Sequence, residues 1–456
     1  MDLYGQTMKL AVQLKRIANG TYGQTGFTRY LEEIQYKSSE ELKAIQAVFL
    51  SDLLNHAVEN IPYYKYLQGQ LELSPSTVFD DIKHFPVINK NTLLEHGAEL
   101  MADNVKVVKT LKTSGSTGPQ ASICSGKYPD SHGIDEFLNN MIGVEPGMSR
   151  FVIMSIYSNK KNGPDGIEYK INRISKTYKF GYGYFNEKRY KFIIDYWMKK
   201  KPKIIWGIIQ PIYSIARYME INGIEVPSPE IVLVGGQTLL PQYRETIERV
   251  WKTKMYDRYG SIECGVISGQ CLEQESHHYS PTNHFIEIVD KNENYVKSEE
   301  KGLAYITTLS KRAMPMIRYN HDDMVVHTDK TCPCGCNFPI LKQVLGKRRE
   351  GIISPSGAYL DNLAGNDIII KEGYIKDFQI IQREDDEILI RYIEEKKVGE
   401  NIKNRIAADL NNVLDNMKNI EFEKVNELKP LPNGKMLRII PIALYKGLDK
   451  INSDTI

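Results

Sequence analysis

A chain of 456 residues is too long for one ordinary hydrophobic core, so at least two domains are expected. Hydrophobic residues make up 41% and charged residues 25%, as is typical of a globular protein, and a formal net charge of +2 argues against a mainly electrostatic nucleic-acid binder. The N-terminus lacks a secretory signal pattern and no run of about 18 uncharged apolar residues occurs, which predicts a cytoplasmic protein without a membrane span.

The first hundred residues carry helical patterns. ELKAIQAVFLSDLLNHAVEN places apolar residues at helical spacing and stops before Pro62, and a second short helix follows an Asn in FPVINKNTLLEHG. Beyond them, short β-rich runs alternate with helical ones. VKVVKTLK, SRFVIMSIYS, PKIIWGI and EIVLVGG are predicted strands, and PQYRETIERVW is a predicted helix. This alternation predicts an α/β domain with mixed, largely parallel sheets.

The last part of the chain has a different pattern of apolar and polar residues. HFIEIVD, GLAYITTL and DDMVVHT are spaced like hairpin strands and predict a β-rich subdomain. DFQIIQREDDEILIRYIEE then predicts two strands around an acidic turn, and VGENIKNRIAADLNNVLDNM predicts a helix. We therefore predict a large N-terminal domain over residues 1–346 and a small, mobile α+β domain over residues 347–456.

One loop concentrates small polar residues. TSGSTGPQ, from Thr113 to Gln120, has no apolar face and so predicts a loop rather than a core element. Its glycines let the backbone bend closely around a ligand, and its hydroxyl and N–H groups can donate to phosphate oxygens. The spacing differs from that of a P-loop, and such loops are often plain connectors, so this segment alone does not decide its function.

Six segments in chain order carry a family resemblance. SGSTG resembles the phosphate loop of the adenylate-forming superfamily, and VGGQTL and YGSIECG resemble its glycine turn beside the adenine and its aromatic-Gly-x-x-Glu motif. RYNHDDMV occupies the place of the family's Arg-Thr-Gly-Asp segment, GKRREGI that of the interdomain hinge, and PNGKMLR resembles the C-terminal lysine motif. HAVENIPYYKYL and FPVINKNTLLEH are similar to the phenylacetate–CoA ligase-like branch, whose capsule-biosynthesis-like relatives are near neighbours.

The resemblance implies an AMP-forming ligase. Such enzymes join a carboxylic acid to ATP as an acyl-adenylate, release pyrophosphate, and usually transfer the acyl group to a thiol, most often that of CoA. Glu263 would hold Mg²⁺, and Lys435 would place a cation beside the carboxylate and the α-phosphate. Both residues are expected to be catalytic, and the small domain is expected to close over the site.

The resemblance also implies the nucleotide contacts. The β- and γ-phosphates would be held by Ser114, Gly115, Ser116, Thr117 and Gly118. The base would lie against two motifs that supply Gly235, Gly236, Gln237, Tyr259, Gly260 and Ser261. Asp323 would accept hydrogen bonds from the ribose, with Asp322 as the competing choice. Lys347 or Arg348 would replace the usual hinge arginine.

Three departures from the family pattern bear on turnover and on the acyl acceptor. Pro119 and Gln120 follow the phosphate loop directly, where the family often has a lysine. NHDD replaces the family's Arg-Thr-Gly-Asp, so Asn320 and His321 supply no cation like the usual arginine. The hinge reads GKRRE instead of Gly-Arg-x-Asp-Asp. Such changes are compatible with an unusual acceptor.

The cysteines are clustered. Of the 6, all but one lie between Cys264 and Cys336, which indicates metal binding or chemistry before disulfides. Three thiolates and one imidazole make a closed structural Zn²⁺ site, whose expected ligands are Cys271, His278, Cys332 and Cys334. His278 has the matching position in the branch, His277 is the alternative, and Cys336 is a spare or competing thiol. This zinc subdomain would span about residues 264–340.

The sequence does not decide which carboxylic acid is activated or which group accepts the acyl group. An aryl or other apolar acid would suit the aromatic residues between 151 and 215, which include Tyr157, Tyr178, Phe180, Tyr182, Tyr184, Phe185, Tyr190 and Trp206. The acceptor could be the CoA thiol, a carrier-protein thiol, or an amine or hydroxyl in polysaccharide or natural-product biosynthesis. The rival from another class is a non-catalytic nucleotide- or acyl-binding homologue, against which Glu263 and Lys435 argue. A homodimer is one expectation for the oligomeric state.

Overall fold

The computed structural model describes residues 23–113, 120–126, 132–156, 159–181, 186–273, 276–356, 358–371, 373–415, 417–428, 436–442 and 445. The chain divides into two compact units, the first comprising residues 1–321 and 325–344 and the second residues 322–324 and 345–456. The boundary predicted from the sequence, after residue 346, lies just beyond this division.

Helices and strands are numbered here in chain order within the described residues. The α-helices are α1 (Gly23–Ile34), α2 (Ser39–Asn60), α3 (Val78–Asp81), α4 (Lys90–Glu95), α5 (His132–Met141), α6 (Glu187–Lys200), α7 (Ile209–Ile221), α8 (Pro241–Trp251), α9 (Asn362–Ile370) and α10 (Glu400–Leu414). The first strands are β1 (Val107–Lys112), β2 (Ser122–Gly126), β3 (Arg150–Ile153), β4 (Lys161–Asn162), β5 (Glu168–Asn172), β6 (Thr177–Phe180), β7 (Ile204–Ile208), β8 (Ile231–Gly235), β9 (Met255–Ser261) and β10 (Gly265–Gln270). The later strands are β11 (His277–His278), β12 (His284–Val289), β13 (Lys301–Thr308), β14 (Tyr319–Thr328), β15 (Ile340–Lys347), β16 (Ile352–Ile353), β17 (Tyr359–Leu360), β18 (Ile375–Glu384), β19 (Glu387–Glu394), β20 (Asn419–Lys424) and β21 (Ile439–Ile440).

A mixed sheet of 13 strands organises the first unit, in the order β12-β13-β14-β15-β11-β10-β9-β8-β7-β3-β6-β5-β4. Its centre is parallel, because β6, β3, β7, β8 and β9 pair in the same direction. On either side, β4, β5 and β6 pair antiparallel, as do β9, β10, β11 and β15. This confirms the predicted α/β class with a mixed, partly parallel sheet.

The parallel centre follows from the apolar content of its strands. Four consecutive residues of β8, Ile231 to Val234, are buried, as a strand covered on both faces requires. Helices α6, α7 and α8 connect β6 to β7, β7 to β8 and β8 to β9. Trp197 of α6 packs on Trp251 of α8 with ring centroids 4.8 Å apart, so the helices also bury apolar surface against each other.

The N-terminal helices begin and end where local sequence signals predict. Ser38 and Glu41 form a capping box at the start of α2, since each side chain bonds the other's backbone N–H, at 3.2 and 2.9 Å. The helix ends at Asn60, before Pro62, as the sequence predicted. Asn89 caps α4 by accepting hydrogen bonds from two backbone N–H groups.

A buried ion pair links this helical region to the β-rich part of the first unit. The Arg318 guanidinium lies 3.1 Å from a carboxylate oxygen of Glu287 and donates to the carbonyl oxygen of Phe85 at 3.0 Å. The two side chains are 8% and 1% exposed. Burial raises the pKa of Glu287, and the neighbouring Arg318 opposes that rise. The main effect of the ion pair is therefore to keep a buried carboxylate charged.

The second unit contains a sheet of 4 strands in the order β20-β19-β18-β21. β18 and β19 pair antiparallel around the predicted acidic turn, while β19–β20 and β18–β21 are parallel. Side chains from β18, β19 and α10 share one core, which includes Phe378, Ile390 and Leu410. The small, separate α+β C-terminal domain predicted from the sequence is thereby confirmed. No described helix combines the length and the apolar character needed to cross a bilayer.

We expect Arg318→Met to lower the free energy of unfolding by about 3–5 kcal/mol, because it leaves the Glu287 carboxylate buried without its cationic partner. Chemical denaturation measures the change. Lys65→Met is the matched control, since it removes an exposed ion pair with Asp103 and should cost about 1 kcal/mol or less. Adding Glu287→Leu to Arg318→Met should recover part of the loss, and equal losses for Arg318→Met and Lys65→Met would contradict the assignment.

Candidate nucleotide and metal sites

The first candidate site lies where the parallel strands end, which is the usual ligand position in an open α/β sheet. Gly235 is the last residue of β8, and a Cβ there would lie 2.5 Å from the carbonyl oxygen of Arg258 on β9. Gly236 has a φ of +80°, a conformation that favours glycine. The Gln237 side chain then accepts from the backbone N–H of Gln210 at 3.4 Å. The close approach of β9 and the positive φ therefore favour glycine at both positions of the predicted turn.

The neighbouring turn, from β9 to β10, presents the predicted Glu263. A Cβ at Gly260 would lie 2.6 Å from the carbonyl oxygen of Gly265, so only glycine fits this hairpin. Within the turn, the Ser261 hydroxyl accepts from the backbone N–H of Cys264 at 3.0 Å. Tyr259 is 9% exposed and belongs to the main core cluster of the unit. Its predicted contact with adenine stays a prediction.

Glu263 is held by residues that the sequence did not identify as its neighbours. Its side chain accepts from the Tyr319 hydroxyl at 3.2 Å, and its second oxygen lies 3.7 Å from Nε2 of His321. The buried Lys311 ammonium donates to the Glu263 backbone carbonyl at 2.6 Å. This carboxylate is therefore fixed in place through both its backbone and its side chain, as a metal ligand has to be.

Cys264, beside Glu263, is a core residue. It is 1% exposed and packs in the main cluster, so the structure gives it a packing role and no access as a nucleophile. Its carbonyl oxygen lies 3.2 Å from Nε2 of His284. Burial lowers the pKa of His284 to about 4, which keeps this imidazole neutral near pH 7.

In the second unit, two aspartates pair with two basic residues of the predicted hinge. Asp323 is 4% exposed and lies 3.4 Å from the Lys347 ammonium. Asp322, the competing choice for the ribose contact, has a φ of +66° and lies 3.3 Å from Nε of Arg348. The Tyr359 hydroxyl donates to the Lys347 carbonyl at 3.4 Å. Each aspartate therefore has a cationic side chain of the same unit beside it.

The second candidate site gathers the predicted zinc ligands. The ligand atoms of Cys271, His278, Cys332 and Cys334 all lie within 4.8 Å of one another. The Cys271 and Cys332 sulfurs are 3.6 Å apart, and the Cys334 sulfur is 3.4 Å from Nε2 of His278. A tetrahedral Zn²⁺ with bonds of about 2.3 Å to sulfur would separate two sulfurs by roughly 3.8 Å. The spacing fits this ion and is too long for a disulfide.

The donor chemistry of the cluster also fits zinc. Burial lowers the pKa of His278 to about 4, so the ring is neutral and can offer a lone pair. Burial raises the pKa of the Cys271 thiol, so a thiolate there requires a cation nearby. Gly335 has a φ of +82° and turns the chain so that Cys332 and Cys334 point into one cluster.

The alternatives to these ligands lie elsewhere. His277 points away from the cluster, with Nε2 3.4 Å from a carboxylate oxygen of Asp257 and Nδ1 3.5 Å from the Ser268 hydroxyl. Cys336 is 2% exposed and packs among Leu31, Phe137 and other apolar side chains. Burial raises the pKa of its thiol to about 12.

Several predicted residues lie outside the described part of the chain. They are Ser114 to Gly118 of the phosphate loop, Lys435, and four aromatic residues of the predicted acid pocket, Tyr157, Tyr182, Tyr184 and Phe185. Of the aromatic residues proposed to line an acid pocket, Phe180 is fully buried and packs on Phe151 at 5.1 Å, and Tyr178 packs on the same ring. These two rings pack in the core between the sheet and α6, and the acid pocket stays a prediction.

Comparisons with known proteins agree with the family resemblance of the sequence motifs. Residues 352–441 match the family described as the CapK C-terminal domain. The chain is 23% identical over 338 residues to a phenylacetate-coenzyme A ligase of Thermus thermophilus, covering 71% of this chain and 74% of the relative. It is 26% identical over 305 residues to a phenylacetate-coenzyme A ligase of Aromatoleum evansii, covering 64% and 68%. These matches confirm the resemblance carried by the motifs.

Solved structures share the fold. A 2-hydroxyisobutyryl-CoA ligase in the postadenylation state, in complex with R3-HIB-AMP, superimposes with a TM-score of 0.72 at 15% identity, covering 92% of this chain and 94% of that one. An anthranilate CoA ligase in complex with anthranoyl-AMP gives a TM-score of 0.54 at 13% identity, covering 77% and 68%. At such identities the likeness establishes the fold alone.

His284 should make stability depend on pH. Its folded pKa of about 4 lies below the ordinary value of 6.5, so the unfolded chain binds the proton more readily between these values. The stabilisation is complete above about pH 6.5 and is lost as the pH falls towards 4, by roughly 3 kcal/mol.

We therefore expect His284→Gln to flatten the fall in unfolding free energy between pH 6.5 and 4, measured by denaturation at several pH values. His84→Gln replaces an exposed histidine and should leave the pH profile unchanged. A profile for His284→Gln as steep as that of the wild type would show that this histidine is not the titrating group.

Proposed function

We propose that this chain, a homologue of the phenylacetate-coenzyme A ligases in the adenylate-forming superfamily, activates a carboxylic acid with ATP and transfers the acyl group to a thiol. The first step forms an acyl-adenylate and releases pyrophosphate, and the second forms a thioester and releases AMP. The observation that carries the proposal is the placement of Glu263, fixed by Lys311 and Tyr319, in the turn beside the glycine-bounded ends of β8 and β9.

The first step joins two anions, so it needs positioned cations and donors. Glu263 would hold Mg²⁺, which prefers oxygen ligands and bridges phosphate oxygens. Lys311 and Tyr319 orient that carboxylate before any ligand arrives. Lys435 would supply a second cation at the acyl and α-phosphate groups, as the resemblance of PNGKMLR to the lysine motif implies.

The nucleotide would lie along the ends of the parallel strands. Close backbone approach to the base is supported by the glycine turn at Gly235 and Gly236 and by the hairpin at Gly260. Gln237, Tyr259 and Ser261 belong to the same two turns. The ribose would be bound by Asp323, and the phosphates by the loop at 114–118, with Lys347 or Arg348 as the hinge cation.

Coenzyme A is the acceptor we favour, because relatives of this chain are named as coenzyme A ligases. The match of residues 352–441 to the CapK C-terminal domain supports one second candidate. In that case the adenylate would pass to a carrier-protein thiol, or to an amine or hydroxyl group of another small molecule.

The thiol and imidazole cluster would hold a structural Zn²⁺. Four soft or borderline ligands with tetrahedral spacing leave no open position for a substrate, which is the pattern of a structural rather than a catalytic zinc. The ion would join the end of β10, the strand β11 and the loop before β15.

The catalytic assignment is tested by separating the two half-reactions. We expect Lys435→Ala to slow acid-dependent pyrophosphate release by about a hundredfold or more, because its cation stabilises charge that develops during adenylation. Transfer to coenzyme A from a chemically synthesised acyl-adenylate should be largely retained. Pyrophosphate release with a panel of acids, followed by the transfer assay, measures both steps.

Lys429→Ala is the matched control, since it removes a lysine from the same segment and should retain both half-reactions. Glu263→Gln keeps the side-chain volume and removes the charge, so adenylation should slow and demand more Mg²⁺. Adenylation by Lys435→Ala at the wild-type rate would show that this lysine is misassigned.

The metal is tested separately. Elemental analysis of the purified protein should find about one Zn per chain, and Cys332→Ser or His278→Gln should lose it and lower the Tm, because zinc binding adds to folding stability. Cys336→Ala and His277→Gln change residues outside the cluster and should keep the metal. Metal-free wild-type protein of unchanged Tm would rule out a structural zinc.

A further inference from the structure

One edge of the large sheet is formed where the parallel strands begin, at the opposite ends of these strands from the candidate nucleotide site. Register pairs place the first residues of β6, β3, β7 and β8 side by side, and β9 begins beside the second residue of β8. Helices α6, α7 and α8 run back along the strands, so their last turns end at the same edge. Five strands at the usual spacing give this edge a width of roughly 19 Å.

Backbone hydrogen bonds hold the loops of this edge next to one another. The carbonyl oxygens of Lys176, Lys203 and Lys254 each accept from the first or second residue of a neighbouring strand, at 3.0, 3.1 and 3.3 Å. These lysines precede β6, β7 and β9. Loops from three different strands therefore form one continuous rim on the first unit.

Basic residues dominate this rim. Residues 160–203 contain 13 basic and 4 acidic residues, a net charge of +9 in a chain whose total is +2. The segments 145–149, 172–176, 199–203, 221–230 and 252–254 are together called the basic edge. Their basic residues are Arg173, Lys176, Lys199, Lys200, Lys201, Lys203, Lys252 and Lys254. Their acidic residues are Glu145, Glu225 and Glu230.

More than half of these cations have no carboxylate beside them. Lys203 pairs with Glu230 at 2.7 Å. The cations that are exposed and form no ion pair within the described part of the chain are Arg173, Lys199, Lys201, Lys252 and Lys254. Like charges gathered on one surface repel each other and attract anions, so the basic edge favours an anionic partner.

The two most exposed large apolar side chains in the described part of the chain also lie on the basic edge. Ile174, in the turn before β6, is 76% exposed, and Ile221, the last residue of α7, is 66% exposed. Each has polar neighbours in the sequence. Single aliphatic side chains among lysines suit a partner that offers anionic groups at its surface and an apolar layer just beneath them.

We propose that the basic edge docks the protein on an anionic lipid bilayer, with the cations against phosphate head groups and Ile174 and Ile221 entering the interface. Such docking would use the end of the first unit that is remote from the candidate nucleotide site. The inference is therefore independent of the proposed function.

The composition of the basic edge distinguishes this partner from other polyanions. All of its cations except Arg173 are lysines, a residue that is depleted in protein–protein interfaces, and its segments contain no aromatic residue to anchor a protein partner. The lack of aromatic residues also removes the stacking surface that a single-stranded nucleic acid uses. A nucleic-acid duplex would give the exposed isoleucines no apolar partner.

Vesicle sedimentation tests the docking without turnover. The full-length protein is mixed at low ionic strength with vesicles of equimolar phosphatidylglycerol and phosphatidylcholine, or of phosphatidylcholine alone, and we expect it to bind the anionic vesicles only. Arg173→Gln/Lys254→Gln removes one cation from each end of the basic edge and should weaken binding about tenfold or more. Ile174→Ser should weaken it about threefold or more, because an apolar side chain no longer enters the interface.

Matched control variants carry the same changes elsewhere on the first unit. Lys291→Gln/Lys297→Gln removes two exposed cations from the loop between β12 and β13, at the far end of the sheet, and should bind like the wild type. Val48→Ser replaces a 55% exposed side chain on α2 and should also bind like the wild type. Circular dichroism and the Tm check that each variant is folded. Should Arg173→Gln/Lys254→Gln fail to fold, Lys254→Gln alone serves, with an expected loss of about threefold.

Equal binding to both kinds of vesicle would overturn the proposal, as would no binding to either. A loss of affinity as large for Lys291→Gln/Lys297→Gln as for Arg173→Gln/Lys254→Gln would show that net charge, and not the basic edge, drives the binding. If Ile174→Ser binds as tightly as the wild type and a duplex oligonucleotide displaces the vesicles, the surface binds nucleic acid and the bilayer assignment is wrong.

Discussion

The close approach of β8, β9 and β10 at the ends of the parallel strands is the constraint on which the candidate nucleotide site depends. A Cβ at Gly235 or at Gly260 would lie within 2.6 Å of a carbonyl oxygen on the adjacent strand, so neither position tolerates another residue without moving the backbone. With both strands drawn together, the turn from Ser261 to Gly265 can follow only a short path. Glu263 lies within that turn, so its position is set by backbone geometry before any side chain contributes.

Side-chain contacts from a distant part of the chain then fix the orientation of Glu263. Lys311 bonds its carbonyl and Tyr319 its carboxylate, while His321 lies 3.7 Å from the second oxygen. The Lys311 ammonium thus holds the turn through the backbone carbonyl, while the Tyr319 hydroxyl bonds the carboxylate itself, so two other parts of the first unit position this candidate metal ligand.

The sequence predicted the features that local chemistry determines. Sterics restrict the conformations available to glycines beside strand ends, and a set of thiols with one imidazole suits few metal ions. The continuous apolar run of β8 and the helical spacing of apolar residues in α8 each fit few structures. The contacts of Glu263 could not be predicted, since Lys311 and Tyr319 come close only after the sheet has formed. The strands β4 to β6 were missed for another reason. The alternation in EYKIN and TYKF is a strand signal, but a helix is the usual connection there.

The candidate zinc cluster and the candidate magnesium ligand lie at opposite ends of one strand. Glu263 precedes β10, and Cys271 follows its last residue. On its far side β10 pairs with β11, which has only two residues and forms two register pairs with each neighbour, so hydrogen bonds alone hold it weakly. A zinc ion that joins Cys271 to His278 of β11 and to the loop before β15 would clamp this weak part of the sheet. Because β10 is only six residues long, loss of the metal would loosen the strand that also supports the turn at Glu263. Such a metal would act on catalysis through the position of this strand, without contact with the substrate.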